Sequence, residues 1–110
     1  MHWRGQNRIM RLYKIIVSDE ANKMLTEHIY FLGRVNWEAA EKLYEQIEKS
    51  IDSLSQMPER YPFFDSEDLN NPYRKIFVPR WYLVLYKIEG DTVFVNYVLD
   101  GRSDYRILLD

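Results

Sequence analysis

Three β-type runs crowd the second half of the chain: YRKIFV at 73–78, WYLVLYKIE at 81–89 and TVFVNYVLD at 92–100. Only Pro79-Arg80 and Gly90-Asp91 separate them. Two-residue links suit an antiparallel hairpin and are far too short for the crossover that parallel neighbours need. An antiparallel three-stranded meander is therefore the fixed point around which the rest must fold. An earlier run, RLYKIIV at 11–17, is rich in β-branched and aromatic residues and predicts a fourth strand.

Between that strand and the meander the apolar period changes to the helical one. Ser18 offers a capping hydroxyl, and Asp19 and Glu20 occupy a first turn where the helix dipole favours acids. Ala21, Met24, Leu25, His28, Ile29, Phe31 and Leu32 follow at helical spacing up to Gly33, which predicts a helix over 19–32. Asn36 caps a second helix with an apolar stripe of Ala40, Leu43, Ile47, Ile51 and Leu54, stopped by Pro58. Glu38–Lys42 and Glu45–Lys49 form i,i+4 pairs on its outer side. The short link Arg34–Asn36 folds the two helices into an antiparallel hairpin. Residues 58–72, with Pro58, Pro62 and Pro72, read as a loop pinned by Tyr61, Phe63 and Phe64. The order is β-α-α-β-β-β: an α+β fold, with a helical hairpin packed on a mostly antiparallel four-stranded sheet.

A length of 110 residues predicts one domain, and 46% apolar residues suffice for its core. Residues 1–9 lack useful periodicity and read as a leader or mobile extension, with the domain proper at 10–110. The chain has no cysteine, which excludes a disulfide scaffold, a zinc ribbon and a thiol nucleophile. No apolar run approaches the ~18 residues of a membrane span, so a cytoplasmic protein without a membrane role is expected. The net charge of −2 hides an asymmetry. Residues 18–72 hold five cations against twelve acids, whereas 1–17 hold four cations and no acid. Any anion-binding role should therefore sit on the sheet, with the helices solvated by their acids.

With both turns taken as two-residue hairpins, Val78 opposes Trp81 and Glu89 opposes Thr92. One face of the meander then carries Tyr73, Lys75, Phe77, Tyr82, Val84, Tyr86, Ile88, Val93, Val95, Tyr97 and Leu99, and should lie under the helices. The other leaves Ile76, Val78, Trp81, Leu83, Leu85, Phe94 and Val98 uncovered. An apolar patch of that size marks a partner surface centred on Trp81, Leu83 and Leu85. The alternative is that a terminal segment folds over it.

Conventional catalytic constellations are missing. His28 sits among apolar helical residues and reads as a core or boundary histidine, with no second histidine to complete a metal set. The serines lack a matching base, and the four glycines form no phosphate loop. No metal or cofactor is expected. What remains is a cationic set, Arg74, Lys75, Arg80 and Arg102, with Tyr105 nearby. Guanidinium groups grip phosphates and stabilise developing charge. The plainer possibility is surface ion pairing, with Asp100 and Asp104 to hand.

MPERYP at 57–62, YRKIFV followed by WYLVLYKIEGDTVFVNYV, and the ending DGRSDY at 100–105 together resemble the RelE/ParE toxin superfamily. The resemblance runs from about Leu12 to Leu109. It implies the β-α-α-β-β-β fold and the toxin half of a type II toxin–antitoxin pair, of the kind called plasmid stabilisation proteins. It also implies growth inhibition relieved by a cognate antitoxin. Two mechanisms occur in the superfamily, and a third possibility is a relative that binds its antitoxin but has lost toxicity. RelE-like members are metal-independent endoribonucleases that cut messenger RNA on the ribosome, and ParE-like members bind DNA gyrase. In the ribonuclease reading Arg74, Arg80, Arg102 and Tyr105 would be catalytic. Two positions where those enzymes carry cations hold Ile76 and Leu83 here. That and the acidic balance favour the gyrase-type inhibitor.

Overall fold

The computed structural model describes residues 12–65, 67–68 and 70–102. The expected leader at 1–9 lies outside them, as does Tyr105. Strand β1 (Lys14–Val17) leads into helix α1 (Asp19–Gly33) and helix α2 (Trp37–Asp52). Two 3-10 turns, Ser53–Ser55 and Pro58–Arg60, precede β2 (Arg74–Val78), β3 (Tyr82–Glu89) and β4 (Thr92–Asp100). The sheet order is β1-β4-β3-β2; β1 runs parallel to β4, and the other two pairs are antiparallel.

The helix starts follow the expected chemistry. Ser18 Oγ accepts from Ala21 N at 3.0 Å, and Asn36 Oδ1 accepts from Ala39 N at 3.0 Å, so each side chain satisfies a first-turn amide. Leu43, Ile47 and Ile51 on α2, with Ala21 and Leu25 on α1, face the sheet and form the main core with Ile76, Val78, Tyr82, Val84, Tyr86, Val93, Val95 and Val98.

That list corrects the expected strand faces in two places. The β2–β3 connection holds three residues, Pro79 to Trp81, so Val78 pairs with Tyr82 rather than Trp81. Ile76 and Val78 thereby turn under the helices, and Phe77 turns out to solvent. A slip of one residue exchanges the faces of a strand. The second change is a bulge. Leu85 pairs with Tyr97 but Tyr86 pairs with Val95, which leaves Asn96 unopposed. The parity of β4 flips there, so Val98 joins the main core. The opposite face is not an open apolar patch either. Leu83 and Leu85 are buried there with Phe64 and Leu99 in a second cluster, flanked by Tyr73 and Tyr97.

Candidate functional site

The end of β4 is built around a close backbone approach. Gly101 N donates to Trp81 O at 2.6 Å, and a Cβ on Gly101 would lie 2.7 Å from that oxygen. Only glycine permits the contact. The next residue, Arg102, stacks its guanidinium 4.1 Å over the Trp81 ring, and Arg80 lies 6.0 Å from the same ring. Arg102 Nε donates to Asp100 Oδ1 at 3.0 Å and Nη2 to Oδ2 at 2.8 Å, while the Arg102 amide also donates to Oδ1 at 2.9 Å. The Asp100 side chain is 13% exposed and that of Arg102 is 54% exposed, so the acid is the enclosed partner. These bonds hold the Asp100 carboxyl below the usual carboxylate range.

A groove of about 540 Å³ lies between this end of the sheet and α1, lined by Glu27, His28, Phe31, Tyr82, Asp100 and Arg102. His28 Nε2 lies 2.8 Å from Val98 O; a carbonyl can only accept, so Nε2 carries the proton. The imidazole meets the Tyr82 ring edge-on at 5.5 Å. His28 thus fastens α1 to β4, the boundary role expected of it. Burial pushes the Tyr82 hydroxyl up, with Asp100 contributing in the same direction.

Arg74 stands at the other end of the sheet. Its Nη1 donates to Glu59 O at 2.9 Å and Tyr61 O at 2.7 Å, and its guanidinium lies 4.1 Å over Phe63. Those contacts clamp the loop before β2 to the strand. Beside them, Lys75 N donates to Pro62 O and Phe64 N to Tyr73 O. Arg74 pairs with Tyr86 and Asp100 with Tyr82, so Arg74 and Arg102 stand six residues apart along the strands. At ~3.3 Å per residue that is ~20 Å, too far to hold one phosphate together. The fold brings Arg80 and Arg102 to one indole and leaves Arg74 apart.

Of the expected partner surface, Trp81 is half-buried between its two arginines, while Leu83 and Leu85 belong to the core and offer no outer contact. Residue-by-residue reading missed Tyr82 and Gly101, although the DGR run already placed a glycine beside Arg102. It also passed over the outward side of the helical hairpin, where Tyr30, Trp37 and Tyr44 are exposed. Among the described residues no helix is long and apolar enough to cross a membrane.

The family model described as the ParE toxin of the type II toxin–antitoxin system parDE matches residues 15–105. No curated protein matches the chain. Among solved structures, the chromosomal ParDE toxin–antitoxin system from P. aeruginosa superposes with a TM-score of 0.62 and 19% identity, covering 79% of this chain and 94% of the other. At that identity the likeness speaks for the fold.

Proposed function

This chain belongs to the ParE toxin family of type II toxin–antitoxin systems, and on that premise we propose that it inhibits growth by binding DNA gyrase rather than by cutting RNA. The observation that carries this reading is the burial of Ile76 and Leu83, the two positions at which the ribonucleases place cations. Both side chains are core, so neither can support charge on a reacting phosphate. Two further commitments point the same way. Arg74 is spent on the carbonyls of Glu59 and Tyr61, and Arg102 is forked onto Asp100. A phosphoryl-transfer site needs donors that are pre-aimed and available.

The exposed pair Arg80 and Arg102 on Trp81 is the feature that a ribosome-dependent endoribonuclease would use, and it defines the competing reading. In the gyrase reading the same indole is a contact for the cognate antitoxin, with Arg80 and Arg102 as its basic rim. Gyrase acts on chromosomal DNA, which places the protein in the cytoplasm. Inducible expression in bacteria separates the mechanisms. The expected outcome is a DNA-damage response that precedes any fall in protein synthesis. Immediate translation arrest with messages cut in the ribosomal A site would reverse the assignment.

A further inference from the structure

The MPERYP run at 57–62 lies in the loop between α2 and β2. Met57 takes the left-handed conformation there, at φ 48° and ψ 55°. That region disfavours any side chain and is the usual place of glycine. Yet Met57 is 68% exposed and lies outside both core clusters. A position that served only the turn would be better filled by glycine, so the exposed thioether is kept at a conformational cost. The loop around it is rigidly built. Arg60 Nη1 donates to Met57 O at 3.0 Å and also to the carbonyls of Ser53 and Gln56, while Nη2 donates to Ser53 Oγ at 2.9 Å. The same guanidinium lies 4.6 Å from the centre of the Tyr61 ring. The Arg74 clamp and the Tyr86 hydroxyl on Pro58 O fix the other side of the loop. Beside Met57, Phe63 is 44% exposed, and Leu12, bridged to Gln56, is 67% exposed.

Methionine, aromatic rings and arginine are the residues that protein interfaces favour. Both arginines here are spent on loop carbonyls, and Glu59 accepts from the Tyr13 hydroxyl, so what the loop offers outward is apolar. That is a poor surface for nucleic acid, which is held by cations aimed at phosphates. Shape decides among protein partners. A linear segment inserts its own side chains into a groove. This loop instead projects fixed side chains, and residues 57–63 do not line the groove at Arg102. A projecting, preorganised side chain suits a concave apolar pocket on a folded partner. Resting on the gyrase reading, we propose that Met57 is the anchor by which the chain docks into such a pocket of gyrase, with Leu12 and Phe63 at its side. Arg74, which clamps the loop, stands ~20 Å along the strands from Arg102. The gyrase contact is therefore separate from the antitoxin contact at Trp81.

Met57→Gly separates contact from scaffold. It removes the side chain and relieves the left-handed backbone, so the variant should melt at the wild-type temperature or above it. In a supercoiling reaction with purified gyrase it should nevertheless need about tenfold more protein for half-inhibition. Met57→Asn, a polar residue that tolerates this conformation, should lose inhibition to the same degree. Met57→Leu keeps an apolar side chain and should stay near wild type. Affinity for the cognate antitoxin, read by isothermal titration, should be unchanged in all three. Undiminished inhibition by Met57→Gly and Met57→Asn would overturn the docking while the gyrase reading stands. An equal loss of antitoxin affinity would move the loop to the antitoxin contact and overturn it too. A wild-type chain that leaves supercoiling untouched would end the gyrase reading and this docking with it.

Discussion

Arg102 closes a two-point fork on Asp100, two residues earlier in the chain, at 3.0 and 2.8 Å, while its guanidinium plane lies on Trp81. The stack orients the guanidinium, and the fork uses two of its donors on this chain's own carboxylate. An arginine so engaged is a structural closure of β4 before it is a ligand for anything else.

Arg102→Ala is therefore expected to act on stability. The loss should be ~1 kcal/mol, because the arginine is half-exposed and solvent screens the pair. Arg102→Lys should recover less than half, since an ammonium cannot reproduce the fork. The pair also sets an acid limb. The folded Asp100 carboxyl lies below its ordinary value because Arg102 bonds to the anion. Its contribution is full above the ordinary pKa of about 4 and is lost as pH falls through the lower folded value. Denaturant titrations across that window should show a slope that Asp100→Asn flattens.

Arg74→Ala should destabilise by ~2 kcal/mol, because two loop carbonyls lose a charged donor together with the stack on Phe63. Arg74→Lys can remake the bonds but not the flat stack, so an intermediate midpoint is expected. Equal stability of wild type and Arg74→Ala in urea would show that the loop before β2 holds without this clamp.

Tyr86 is fully buried and donates its hydroxyl to Pro58 O. Burial pushes that hydroxyl up to about 12. The unfolded tyrosine ionises near 10, so its contribution to folding is full below that pH and is lost as pH rises toward 12. The wild type should lose stability across about pH 10–12, and Tyr86→Phe should lose less there. At neutral pH the variant should be weaker by ~1–3 kcal/mol, having left a buried carbonyl unpaired. Thermal unfolding at a series of pH values reads both effects.

Trp81→Ala should weaken binding of the cognate antitoxin by ~2 kcal/mol or more if the indole anchors that interface. Isothermal titration against the purified antitoxin measures it. Unchanged affinity would remove Trp81 from the contact. Leu83 and Leu85 carry no such expectation, since their substitution would act on the core.

Most of the architecture was legible in the residues. Ser18 and Asn36 mark the helix starts, Leu43, Ile47, Ile51 and Leu54 of the helical stripe join the core, and the three runs after residue 72 are the three strands observed. What was not legible is register. Pro79, Arg80 and Trp81 make a three-residue connection where two were assumed, and the bulge at Asn96 adds a residue opposite β3. Period-two patterning cannot detect either insertion, because the runs on both sides still alternate. Both moved apolar residues between faces, and the expected open patch became core. The site suffered similarly: Arg74 and Arg102 are real sheet-end cations, but sequence cannot tell a cation aimed at a ligand from one already bonded to Tyr61 O or Asp100.

Gyrase inhibition is tested most directly by a supercoiling reaction with purified gyrase, ATP, relaxed plasmid and the purified chain. Supercoiling is expected to fall as the chain approaches the enzyme's concentration, and added antitoxin is expected to restore it. Undiminished supercoiling, alongside cleavage of messenger RNA by the same preparation in a translating extract, would contradict it.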